Sequence, residues 1–227
     1  MTRFAPLVLV AALVVSTAGC SIFQNKQSPD VLYALGVNAQ RVGSPAEALA
    51  FYERAASAGS ARAQLVVAHH HATKRLPDNL ASAVIEEEAA SSTWFESALV
   101  ALEREARGGN AEALVLSGLM HYAGRGTRPS KTRAAQMLKS ASGLGNAEAH
   151  YWLGWMHERE RNHRTAAHHY ESAIQGGYTR AYIGLAMLHI NNHLGGDGYA
   201  RGMAILRVAQ DKGVDSAGSM LLGLLQR

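Results

Sequence analysis

ERAASAGSARAQLVVA (residues 53–68), KSASGLGNAEAHYWLG (139–154) and ESAIQGGYTRAYIGLA (171–186) share one pattern. Each closes an apolar segment at a glycine (Gly59, Gly145, Gly177). Nine residues later each carries a small residue in the next segment (Ala68, Gly154, Ala186). Gly109 with Gly118, and Gly213 with Leu222, repeat the spacing. The glycines fall 50, 36, 32 and 36 residues apart. Self-similarity at such a period is the signature of a stacked solenoid, in which each unit buries its apolar face only against its neighbours.

Working outward from those junctions gives the units. Gly36, Ala48, Tyr52 and Ala55 recur at identical offsets as Gly154, Ala166, Tyr170 and Ala173. Gly118, Ala134, Leu138 and Ala141, and then Ala186, Gly202, Leu206 and Ala209, follow the same order with four more residues in the loop. Small residues let two helix backbones approach, and a large one between them fills the groove. Each unit therefore reads as a helical hairpin whose second helix stops at a glycine able to take a left-handed conformation. With no alternating apolar run that argues for a sheet, the expected fold is all-α: a right-handed α-solenoid of about five hairpins over residues 31–227.

The three junctions resemble those of Sel-like repeats, relatives of tetratricopeptide repeats. GLMHYAGRGTRPSKTRAAQMLKSAS (118–142) is similar to that family's longer loop, with Gly124-Arg125-Gly126 at its glycine-x-glycine position. The second unit departs from the pattern. Fifty residues separate Ala68 from Gly118, and the excess falls at about 75–94. An additional short helix or an elongated loop is expected over 79–90. Glu86-Glu87-Glu88 reads as a solvated stretch, and Ala98 and Leu102 as the second helix, with Glu105 where alanine is expected. SAGSMLLGLLQR starts one more first helix, so a capping helix is expected at about 215–227.

At the other end, Arg3 precedes an apolar run over residues 4–16, then Thr17-Ala18-Gly19-Cys20. A basic start, a short apolar run and small residues describe an export signal, and the run is shorter than the ~20 residues of a membrane span. Cys20 is the only cysteine. Its setting resembles the lipobox of bacterial lipoproteins, with Thr17 where leucine is usual. The resemblance implies a signal over 1–19, lipidation of Cys20, a tether over 20–30 and a place in the bacterial envelope. Ser21 in the following position hints at the outer membrane, facing the periplasm. An ordinary signal peptide with a chance cysteine, or a membrane anchor, are the competing readings.

The formal charge of +4 is scattered, which argues against a nucleic-acid footprint. No HExxH, paired CxxC or Gly-x-Ser-x-Gly occurs, so catalysis, metal ligands and cofactors are not expected. Of the eleven histidines, His69-His70-His71 cannot converge on one ion, because neighbours on a helix diverge by about 100°. His71, His121, His157 and His189 each lie three residues after their unit's small residue. The family usually has tyrosine there, so they read as core fillers with a polar tip. His163 and His169 are expected to face solvent.

In tetratricopeptide-like solenoids the first helices line a concave surface. The resemblance therefore implies a partner-binding groove at Tyr33, Leu119, Tyr122, Tyr151, Trp155, Ile183 and Met187, with Trp152 one residue off that face and in the core. An apolar, aromatic groove suits a protein or peptide partner. The expectation is a lipid-anchored scaffold for envelope proteins. Similar Sel-like lipoproteins of the alginate-export machinery assist the assembly of secretion complexes. Binding of polysaccharide or peptidoglycan, or of metal by the histidine-rich helices, are the alternatives.

Overall fold

The computed structural model describes residues 27–85 and 93–226. Cys20, the export signal, most of the tether and Glu86-Glu87-Glu88 lie outside the described residues. Among the described residues the chain forms twelve helices and no strand. They are α1 (Pro29–Arg41), α2 (Pro45–Ser57), α3 (Ala61–Thr73), α4 (Leu80–Ile85), α5 (Thr93–Arg107), α6 (Ala111–Ala123), α7 (Lys131–Gly143), α8 (Ala147–Arg159), α9 (His163–Gln175), α10 (Ala181–Ile190), α11 (Gly198–Asp211) and α12 (Asp215–Leu225). Helices pack on their neighbours in chain order except around α4, which lies against α3 and α6 while α3 packs on α5. The hairpins are α1–α2, α3–α5, α6–α7, α8–α9 and α10–α11, with α12 packed on α11. None of these helices is long and apolar enough to cross a membrane.

The repeated junction is a stop signal followed by a start signal. Gly145 takes φ +81°, left-handed backbone that an L side chain adopts only with strain. The next residue, Asn146, then caps α8: its Oδ1 accepts from the Ala149 N–H at 3.0 Å. Asn110 does the same for Ala113 at 3.1 Å, and Ser60 for Ala63 at 3.3 Å. Each cap satisfies a backbone donor that the first helical turn leaves open.

Inside the hairpins the small residues meet the large ones. A Cβ at Gly36 would lie 2.7 Å from the Tyr52 ring, and one at Gly154 would lie 2.8 Å from Tyr170. Tyr170 is confined on its other side too, where a Cβ at Gly184 of α10 would lie 2.6 Å from it. The Tyr170 hydroxyl donates to Glu158 at 2.6 Å, and the Tyr52 hydroxyl to Gln40 at 2.9 Å. Where the tyrosine is absent, Leu102, Leu138 and Leu206 fill the same place, each 1% exposed or less.

The irregular second unit is held by the loop of the third. A Cβ at Gly126 (φ +68°) would strike the backbone of Phe95 at 2.7 Å, so that loop lies directly on α5. Between Gly124 and Gly126, Arg125 donates from Nε to the Val84 carbonyl at 3.1 Å and sits over the Phe95 ring. The extra segment is thus tied down at α4.

Gly154→Val is expected to lower the unfolding free energy by about 1–3 kcal/mol, the usual cost of overpacking a close contact. Tyr170→Phe, which removes only the hydroxyl bonded to Glu158, should cost about 1–2 kcal/mol. Chemical denaturation of the two variants checks both, and unchanged midpoints would contradict this account of the hairpin.

Candidate functional site: the groove between the first helices and the inserted segment

A groove of about 790 Å³ opens along the first helices. Its α1 wall is Tyr33, Val37, Gln40 and Arg41. Glu112 and Leu116 of α6, with Glu148 of α8, form the floor, and the α9–α10 turn closes the far end with Tyr178 and Arg180. The inserted segment, residues 77–81, makes one rim. Gln40 secures that rim: its Nε2 donates to the Pro77 carbonyl at 3.0 Å while its Oε1 accepts from Tyr52. Across the groove wall, Arg62 of α3 grips Glu112 through two bonds of 3.2 and 2.8 Å. A bidentate pair of this kind fixes geometry as well as charge.

The lining is mixed. Val37 is 44% exposed and offers apolar contact. The aromatic lining is held by neighbours: Tyr33 lies 5.6 Å from Tyr52, and Tyr178 lies 5.1 Å from Tyr151, ring centre to ring centre. Burial raises the Tyr33 phenol above its ordinary pKa, with Glu112 adding to the shift. Burial also raises Tyr178, with Glu148 the next cause. Both phenols therefore stay neutral hydrogen-bonding groups across the physiological range.

The expected groove residues separate. Tyr33 lines the groove, and Tyr151 stands behind Tyr178. Leu119 must be corrected: it is 0% exposed, inside the core shared by α3 to α8, and so touches no partner. Tyr122 and Trp155 pack on each other at 5.1 Å, half-buried against the same core, and are not part of the groove lining. Arg159 lies over the Trp155 ring. Ile183 packs half-buried among the last helices, and Met187 is likewise half-buried; neither lines the groove. Trp152 is core, 8% exposed, its indole N–H donating to Glu148.

What the sequence reading missed is a charged position six residues before each small residue: Asp30, Arg62, Glu112, Glu148 and Arg180. Three of these line the groove and a fourth pairs with one of them. That recurrence was visible in the alignment of units and marks the helix starts that face inward.

The histidines also part company. His121 is 3% exposed and bonds Glu103 at 2.9 Å, and Arg133 donates to the same carboxylate oxygen, so that α5, α6 and α7 are pinned together. His157 and His189 are half-buried, whereas His71 is exposed and His69 takes the interior place in α3. His169, expected on the solvent side, instead sits half-buried between His150 and His157. Among the described residues no group of three or more ligating side chains is assembled for a metal ion.

Fold and groove together define a helical-repeat solenoid with an open groove of mixed polarity. Residues 31–60, 111–146 and 147–178 match the sequence model of the Sel1 repeat. The chain carries Sel1 repeats, which are of the kind that typically serve as scaffolds for protein–protein interaction. Comparison with curated protein sequences gives no match.

Solved structures share the fold at low identity. An SLR-fold protective antigen of uropathogenic Escherichia coli strains is 15% identical with a TM-score of 0.50, over 86% of this chain. This chain spans 56% of that protein's length. A Sel1 repeat protein from Oxalobacter formigenes is 19% identical with a TM-score of 0.51, covering 84% of this chain and 75% of its own. One from Klebsiella pneumoniae is 12% identical with a TM-score of 0.52, covering 85% and 91%.

The histidine geometry predicts acid sensitivity. Burial, then His150 and His157, press the His169 imidazole down to about 4 from the ordinary 6.5. Between those values the unfolded chain binds the extra proton and the folded chain resists it. Stability is therefore full above pH 6.5 and falls as pH drops from 6.5 toward 4. Urea midpoints measured at pH 7, 5.5 and 4.5 should fall more steeply for the natural chain than for His169→Gln. Parallel curves would contradict the assignment.

Proposed function

We propose that the chain is a lipid-anchored scaffold of the bacterial envelope that holds a protein segment in the groove beside α1. The observation that carries this reading is the groove itself. Exposed Val37 and neutral Tyr33 and Tyr178 lie among Glu112, Glu148, Arg41 and Arg180, a combination that suits an extended or helical peptide bearing both apolar and charged side chains. The lipobox-like setting of Cys20 supports the anchor. Two or more acyl chains hold a protein at a membrane far better than one. Confinement there raises the effective concentration for a weak second contact. A role in assembling a secretion or polysaccharide-export complex fits the same arrangement. The chain needs no catalytic group for any of these tasks.

Photo-crosslinking in cells from a reactive residue at position 37 tests the groove. One defined envelope protein is expected, lost when Arg180→Glu is introduced and retained with Trp155→Ala if that variant stays folded. Capture insensitive to Arg180, or capture of cell-wall fragments alone, would overturn the reading. For the anchor, Cys20→Ser should move the protein from the membrane fraction to the soluble fraction while leaving its helicity unchanged. Retention at the membrane would contradict lipidation.

A further inference from the structure

The α8–α9 hairpin carries five of the eleven histidines, His150, His157, His163, His168 and His169, and the groove uses none of them. Four gather around one point. The Nδ1 atoms of His150 and His169 face each other at 3.2 Å. The ring of His157 stacks on His169 with centroids 5.5 Å apart and planes within 3°, and the ring of His168 lies 5.9 Å from it. Packing at this hairpin is set by Gly154 and Tyr170, so the two helices that bear the facing nitrogens have little freedom to separate.

We propose that His150 and His169 form a two-histidine chelate for a borderline divalent transition-metal ion such as Zn²⁺, bound through both Nδ1 atoms. Imidazole nitrogens bind zinc at about 2.0–2.1 Å. With that bond length, two nitrogens 3.2 Å apart subtend about 100° at a common ion, close to the tetrahedral angle that zinc prefers. Without metal, one Nδ1–H donates to the other Nδ1, and binding replaces that shared proton with the ion. The balance is simple: the metal enters, the displaced Nδ1 proton is taken up at Nε2 of the same ring by way of solvent, and both rings end neutral with Nε2 protonated and no net proton released.

Protonation, the usual competitor for imidazole ligands, is suppressed here. Burial and the neighbouring histidines hold the His169 pKa down to about 4, and burial also lowers His150. Burial thus favours, at both positions, the neutral ring that a metal ligand requires. The facing groups pull in opposite directions: Lys139 of α7 places positive charge toward His169 and limits affinity, while the Glu160 carboxylate, 3.8 Å from Nδ1 of His157, favours a cation nearby. With two protein ligands, the remaining positions fall to water or to a donor from a bound partner. This is the arrangement of an exchangeable site, since structural zinc sites take all four ligands from protein.

The test uses the full chain made without a histidine tag, titrated with ZnCl₂ at pH 7. One equivalent of Zn²⁺ is expected to bind, with imidazole ¹⁵N spectra showing coordination at Nδ1 of two histidines. His150→Gln and His169→Gln should each weaken binding by at least about tenfold, as loss of one of two chelating ligands requires. His71→Gln, exposed on α3, should leave it unchanged. Equal affinity in the His169 variant, coordination through Nε2, or absence of one-to-one binding would overturn the proposal. If either variant loses helicity, the nitrogen assignment in the natural chain decides alone.

Discussion

The solenoid depends on one contact, the Tyr170 ring held between Gly154 and Gly184. The ring belongs to α9, one glycine to α8 and the other to α10, so a single side chain sets the spacing within a hairpin and to the next hairpin. Its hydroxyl, bonded to Glu158, fixes the rotation of the ring. Burial and that carboxylate push the phenol pKa far up, so the group remains a donor at any physiological pH. A repeat array has no central core, and its stability is a sum of such nearest-neighbour interfaces. The first hairpin repeats the device with Gly36, Tyr52 and Gln40 at the same offsets. Leucine replaces tyrosine in the other units, which keep the volume and lose the directional bond.

Hairpin identity, unit boundaries and the core positions of the second helices were legible because they rest on short-range rules. A glycine with positive φ, an Asn or Ser cap and a small-to-large pairing each leave a residue-level mark. The inward face of the first helices was not legible from apolar periodicity. In α6, residues Val115 to Met120 are buried without a break. A first helix touches its own partner and neighbours on either side, so it is apolar nearly all round, and a 3.6-residue pattern cannot choose a face on such a helix. Leu119 was placed in the groove by the resemblance to tetratricopeptide-like solenoids, and it is core. The charged residues at the helix starts carry the missing information, because a charge is tolerated only where the face is open.

Histidine placement follows the same logic. A position three residues after the small residue does point between helices at His121, where Glu103 supplies a bond for the ring. At His71 the inserted segment changes the surroundings of α3, and the interior place passes to His69. Side-chain chemistry at one repeat position is therefore decided by what the neighbouring unit brings to it, and for His121 the second unit brings a carboxylate from α5.

The groove owes its shape to the least regular part of the chain. An ideal array of hairpins would present a smooth curved surface, with every unit contributing alike. Here the segment before α4 forms a rim, anchored by Gln40 to Pro77 on one side and by Arg125 to Val84 on the other. Those two anchors come from α1 and from the Gly124–Gly126 loop, both standard parts of neighbouring units. The repeats thus supply rigid attachment points, and the departure from the repeat supplies the enclosure. Selectivity in such a scaffold follows from that division: the repeated residues keep the frame constant, while the rim and the charges at the helix starts can change without disturbing the contact between Tyr170 and its two glycines.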